Sequence, residues 1–362
     1  MTSAHSEPEL RAALDAVPRY KAGVAPPPGP VGLTAYKVAS NENPYPPLPG
    51  VLAAIADAAT GVNRYPDFAA TELTQALSKS LNVAADQLAL GTGSVALIQY
   101  AVQISCDQGD ALVYAWPSFE AYPIVAAIAG AESIQVRVND SYEHDLAGMA
   151  AAITDKTSMV IVCSPNNPTG TSFSRAQLVE FLQSVPSRVL VVLDEAYVEF
   201  VDDDRDLRSV DLVKQFPNLC VMRTFSKAYG LAGLRLGYAI ASPTVAGALR
   251  AVSLPFGISA VAQAAGLAIL APAAQGELQL RVDYLKAERS RVLTALGPMA
   301  TQDAQGNFVW LPLGERSETF ASMCSQQALS VRLFSGVGVR VTIAERAAND
   351  RLIALASEFV SP

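Results

Sequence analysis

The run Val189-Leu190-Val191-Val192-Leu193 is apolar at every position. A strand reads this way when both of its faces are covered by helices, as in a parallel sheet; a strand with one wet face would alternate. Met159-Val160-Ile161-Val162-Cys163 is a second run of the same kind. Five more strand-like segments, at 88–91, 111–115, 133–138, 218–223 and 236–241, are separated by helix-like stretches such as 51–60 and 146–153. Repeated alternation of this sort specifies an α/β fold with a mostly parallel seven-stranded sheet between helices. From about residue 245 the pattern changes to long helices over 244–253, 259–272 and 276–296, then a strand over 306–311. The expected division is an N-terminal arm over 1–35, a large domain over 36–245 and a smaller α+β domain over 246–362. The arm contains a short helix over 7–17 and a proline segment over 26–30 that cannot be helical.

Open α/β sheets bind ligands beyond the carboxyl ends of their strands, and several reactive side chains fall there. The 189–193 run ends in Asp194-Glu195-Ala196-Tyr197, and the 159–163 run ends in the turn-rich Ser164-Pro165-Asn166-Asn167-Pro168-Thr169-Gly170. The next strand leads into Thr224-Phe225-Ser226-Lys227-Ala228-Tyr229-Gly230, with Arg235 shortly after. Lys227, among apolar neighbours, is an amine able to condense with an aldehyde once its charge is lost. By composition alone, a surface lysine in a loop is the better reading of this segment. Thr224, Ser226 and Arg235 offer short donors and a planar fork to an anion such as a phosphate. Leu90-Gly91-Thr92-Gly93-Ser94-Val95 adds a strand, a glycine turn and a helix start, where the Gly93, Ser94 and Val95 backbone can approach the same phosphate. The third glycine and the later acidic residue of a dinucleotide site are missing. An Asp for a protonated pyridine nitrogen, an Asn and a Tyr for a phenolic oxygen, a Lys for the aldehyde and an Arg for a phosphate together describe pyridoxal 5′-phosphate (PLP).

With SPNNPTG at 164–170, DEAY at 194–197 and SKAxGLAGLR at 226–235, the chain resembles the fold-type I PLP-dependent aminotransferases of the histidinol-phosphate aminotransferase group. WPSFEAYP, RTFSKAYGLAGLR, NFVWLP and VRxFxGxGVRVTI are similar to the actinobacterial aromatic amino acid aminotransferase subgroup within it. The resemblance spans about residues 15–360. It implies transfer of the amino group of phenylalanine, tyrosine or tryptophan to 2-oxoglutarate, with Lys227, Asp194 and Tyr197 catalytic. It also implies that Phe119 stacks on the cofactor ring, and that Tyr20, Asn43, Arg332 and Arg340 contact substrate, Arg340 forking its α-carboxylate. A homodimer follows, in which Tyr65 of the RYPD segment reaches the partner's cofactor phosphate and the arm packs across the partner or the cleft. Arg332 also resembles a phosphate-binding arginine, which keeps histidinol phosphate open as the donor. A PLP-dependent decarboxylase or lyase would share every cofactor residue. Leu333 and Ala344 depart from the subgroup, where proline and glycine are usual.

A chain of 362 residues with 51% hydrophobic content has ample material for two cores. Its net charge of −8 argues against a nucleic-acid partner, and no basic segment is long enough for a DNA-binding module. The apolar stretch 261–271 is short, carries Gln263 and reads as a buried helix rather than a membrane span. Residues 1–9 lack a signal-peptide pattern, so the expected location is cytoplasmic. Four separated cysteines and two histidines, His5 and His144, leave little from which to build a disulfide, a metal site or a Ser-His-Asp triad. Asp202-Asp203-Asp204-Arg205-Asp206 lacks the glycine and glutamate of a calcium loop and reads as solvated.

Overall fold

The computed structural model describes residues 32–360, together with 8, 10, 11, 14, 15, 17–20, 23 and 26. The expected arm helix over 7–17 and the proline segment over 26–30 lie largely outside the described residues. In chain order the first part forms Tyr36–Lys37 (β1), Pro49–Ala59 (α1), Thr71–Leu81 (α2), Leu88–Gly91 (β2), Ser94–Ser105 (α3), Ala111–Trp116 (β3), Ala121–Ala129 (α4) and Glu132–Arg137 (β4). Leu146–Ala151 (α5), Thr157–Cys163 (β5), Arg175–Ser184 (α6), Leu190–Asp194 (β6), Ser209–Leu212 (α7), Leu219–Thr224 (β7) and Gly237–Ile240 (β8) follow. The remainder is Pro243–Val252 (α8), Ala260–Leu270 (α9), Pro272–Leu296 (α10), Phe308–Leu311 (β9), Ser317–Gln326 (α11), Leu329–Ser330 (β10), Arg332–Phe334 (β11), Gly338–Thr342 (β12) and Arg346–Val360 (α12).

Seven strands join in the order β2-β8-β7-β6-β5-β3-β4. Only β8 runs against its neighbours; the other pairings of this sheet are parallel. The unbroken apolar runs have the expected cause, because successive side chains enter different cores. Val160, Val162, Val191, Leu193 and Val221 face one core with Leu73, Leu77, Leu178 and Phe181. Met159, Ile161, Leu190, Val192, Cys220 and Met222 face the other with Leu97, Ile98, Tyr122 and Val125.

A third core lies between α10, α11, α12 and the antiparallel sheet β11-β12-β9. Its helical part begins at Leu278, whereas Ala246 and Leu249 of α8 and Ala265 and Ile269 of α9 are buried in the two large-sheet cores. Helices α8 and α9, which the sequence groups with the small domain, thus pack on the large sheet. Helix length and period are legible in sequence; which layer a helix covers is not. The acidic loop is also less free than expected, since Asp202 pairs with Lys286 and Arg289 at 3.2 Å. Among the described residues no helix is long and apolar enough to cross a membrane.

Residues 36–41 tie the layers together. β1 pairs with β10, Val38 donates to the Ser330 carbonyl at 2.9 Å, and the Thr342 amide donates to the Val38 carbonyl at 2.9 Å. This strap thereby joins β10 and β12.

Candidate active site

A cleft of about 250 Å³ opens at the carboxyl ends of β5, β6 and β7. Tyr20, Ser94, Val95, Phe119, Asn167, Asp194, Tyr197, Thr224, Ser226, Lys227, Arg235, Arg332 and Arg340 all line it, so residues drawn from distant parts of the sequence converge. Asp194 is the last residue of β6, in register with Cys163 on one side and Met222 on the other, and is buried. Burial pushes its carboxyl up to about 6, opposed by the Tyr122 hydroxyl, which donates to Oδ2 at 2.8 Å, and by the Ala196 amide, 3.2 Å from Oδ1. The carboxylate is thus held by donors while kept from water. Such a group awaits a cation.

Lys227 follows β7 in the loop that returns to β8. Loss of water and then the Arg340 guanidinium bring its ammonium down to about 8. Its Nζ donates to the Ser40 carbonyl at 3.2 Å and stands 5.7 Å from the centre of the Tyr197 ring. The Tyr197 hydroxyl accepts from Asn41 Nδ2 at 2.9 Å, and burial raises its pKa, keeping it a neutral donor.

Three elements build an anion cup. Gly93 precedes α3 with φ +87°, and the helix has no side-chain cap, leaving its first amides free. A Cβ on Gly93 would lie 2.4 Å from Arg235 Nη2, so glycine is what lets the guanidinium close over the helix end. Arg235 itself adopts φ +52°, a strained left-handed conformation for a bulky residue, and donates to Ser226 Oγ at 3.2 Å. Thr224 Oγ1 accepts from the Ser226 amide at 3.1 Å.

On the opposite wall, Arg340 of β12 is buried, with one nitrogen on Asn167 Oδ1, another on the Ala39 carbonyl at 2.6 Å, and Nε without a partner. Its acceptors are neutral, so its charge remains uncompensated, and burial lowers its pKa. Asn167 spends its carbonyl on Arg340 and keeps its amide N–H groups as donors.

One expected residue is placed otherwise, and Tyr65, expected at the partner's cleft, stands away from this chain's own. Asn43 does not line the cleft: its Nδ2 donates to the Ala228 carbonyl at 2.8 Å and the Lys227 carbonyl at 3.4 Å, holding the lysine's backbone from behind. Asn41, two residues earlier, is the buried amide behind Tyr197, with φ +52° that asparagine tolerates better than most side chains. Tyr65 is 82% exposed and packs on Phe256, 4.7 Å between ring centres, away from this chain's own cleft. Sequence reasoning missed Tyr122, which looks like a core aromatic next to Phe119, and Glu120, which pairs with Arg332. Nothing local distinguishes these two from structural residues.

The residues fit PLP: a helix end and an arginine cup kept open by Gly93, a buried carboxylate, an amine with a lowered pKa, and the unpartnered Nε of Arg340 for an acid substrate. A large parallel sheet with these groups at its carboxyl edge is the architecture of a group-transfer enzyme acting on amino acids. The family described as aminotransferase class I and II matches residues 35–354, and the chain belongs to it.

Among its relatives, the aromatic amino acid aminotransferase of Streptomyces coelicolor is 51% identical over 98% of each chain. That of Thermobifida fusca is 48% identical over 99% of each. Among solved structures, the histidinol-phosphate aminotransferase of Sinorhizobium meliloti in complex with pyridoxal-5′-phosphate superposes with a TM-score of 0.81 at 28% identity, covering 89% of this chain and 91% of that one.

Proposed function

We propose that this aminotransferase uses PLP to move the amino group of an aromatic amino acid to 2-oxoglutarate, as a homodimer. The observation that carries the substrate class is the near-full-length identity to enzymes named for aromatic amino acids, 46% to 51% across the relatives compared. The cleft supports it, since Phe119 and Tyr20 give an aromatic ring apolar company beside the arginine that meets an α-carboxylate.

PLP, when bound, supplies an aldehyde carbon and an electron-accepting ring. Ser226, Thr224, Arg235 and the amides after Gly93 would hold its phosphate, Asp194 would keep a proton at the ring nitrogen, and Asn167 and Tyr197 would donate to the ring oxygen. Arg340 fixes the substrate carboxylate as a fork. Lys227, whose ammonium burial brings down to about 8, is the amine placed to take a proton from the substrate Cα and return it. The dimer is supported by an exposed apolar group, Tyr65, Phe68, Leu254 and Phe256, of a kind that monomers seldom leave open.

The test is a single-turnover titration of the PLP-loaded protein, followed in the visible spectrum, with L-phenylalanine and separately with L-histidinol phosphate. Fast conversion by phenylalanine and slow conversion by histidinol phosphate is the expected result. The reverse order would assign the enzyme to histidinol phosphate, and conversion by neither would point to a lyase.

A further inference from the structure

Arg332 of β11 is the register partner of Arg340 of β12, so both guanidinium groups leave the same face of an antiparallel pair and enter the same cleft. Their partners differ. Arg340 has only neutral acceptors and an unpartnered Nε. Arg332 is neutralised, because its Nη2 is hydrogen-bonded to Glu120 Oε2. Glu120 comes from the other wall, directly after Phe119, at the N-cap of α4. An anion from the large-sheet layer is therefore already seated on the second arginine of the small layer.

We propose that Glu120 is a specificity-determining residue that takes the place of a substrate's distal anion on Arg332 and so favours donors with uncharged side chains. This rests on the aminotransferase reading of the cleft, in which Arg340 holds the α-carboxylate. An aromatic side chain leaves the Glu120–Arg332 pair intact and packs beside Phe119. A side chain ending in phosphate or carboxylate must either expel Glu120 from Arg332 or lie against a like charge, and both oppose binding. The Arg332 side chain is 10% exposed and that of Glu120 29%, so the carboxylate has a route into water and the arginine has none. Glu120 can yield to a dianionic acceptor at a cost in affinity. Without Glu120, Arg332 would be a nearly buried cation with no anion, which is a ready anion site.

The measurement is calorimetric binding to the PLP-loaded protein of two acids that lack an amino or keto group, 3-phenylpropanoate and 3-phosphonopropanoate. Glu120→Gln, nearly isosteric and uncharged, should shift the ratio of dissociation constants toward the phosphonate by about tenfold or more, equivalent to ~1.4 kcal/mol. The shift should vanish in the Glu120→Gln/Arg332→Gln double variant. Glu120→Asp, which draws the carboxylate back by one methylene, should shift the ratio in the same direction by a smaller factor and serves if the glutamine variant folds poorly. A ratio unchanged in these variants, or a gain that survives the loss of Arg332, would overturn the proposal. Because neither acid turns over, the ratio stands independently of whether phenylalanine is a substrate; failure of the phenylalanine titration would remove the functional reading without moving it.

Discussion

Lys227 carries the most pH-sensitive role. Its ammonium is lowered from 10.5 to about 8 by burial and by Arg340, so protonation below pH 8 removes the nucleophile. Uptake of PLP by the cofactor-free chain, followed as visible absorbance, should accelerate up to about tenfold per pH unit below 8 and level off above it. Lys227→Ala should lose that absorbance and slow turnover by about 10³-fold or more. A profile with no break near 8, or multiple turnover in the variant, would remove the lysine from the reaction. Lys227, Asp194, Asn167 and Arg235 were legible only jointly, because together they supply an amine, a carboxylate, an amide and a guanidinium that match the parts of one molecule. The choice between Asn43 and Asn41 was not. Both sit in one polar turn, and only the positive φ of Asn41 and the fold of the strap decide which amide meets Tyr197. Tyr122 was hidden for the opposite reason, since its ring is buried core and only its hydroxyl, hydrogen-bonded to Asp194, belongs to the site.

The start of α3 shows how an element imposes a residue. Gly93 combines φ +87° with ψ 164°, a region essentially closed to side chains, and a Cβ there would strike Arg235 Nη2. Gly93→Ala should therefore weaken PLP binding by about tenfold or more and destabilise the cofactor-free chain by ~1–3 kcal/mol. Spectral titration and thermal unfolding check the two effects. Gly233→Ala is the control, because a Cβ at Gly233 meets nothing within 4 Å and its φ is ordinary. Equal effects of the two substitutions would refute the steric account. At this scale the strands were the most legible elements: a run apolar at every position has no amphipathic alternative, and β5, β6 and β7 fall within about two residues of the segments read from sequence. The layer that α8 and α9 cover was not legible, because an alanine-rich helix shows little preference for either layer. Their partners, α3 and the large sheet for α8 and α1 for α9, become visible only once the chain is folded.

For the molecule as a whole, the aromatic group around Phe256 raises the question of what completes the cleft. Phe68 stands edge-on to Phe256 at 5.3 Å, and Tyr65 lies over the same ring, yet Tyr65 and Phe68 remain mostly exposed. Burying such rings against a second copy would contribute on the order of 1.5–3 kcal/mol for each one fully covered, which is reason enough for association. If association also brings Tyr65 to the partner's PLP phosphate, two defective chains can repair one another. Take one variant with Lys227→Ala and another with Tyr65→Ala. In a mixed dimer one cleft inherits both defects, while the other combines an intact Lys227 with an intact Tyr65. After unfolding and refolding an equimolar mixture, about half of the dimers should be mixed, each with one working cleft of two, giving roughly a quarter of the wild-type activity from two preparations that are each nearly inactive. Recovery no greater than the average of the separate variants would mean that each chain builds its cleft alone, and would reassign the aromatic group to packing.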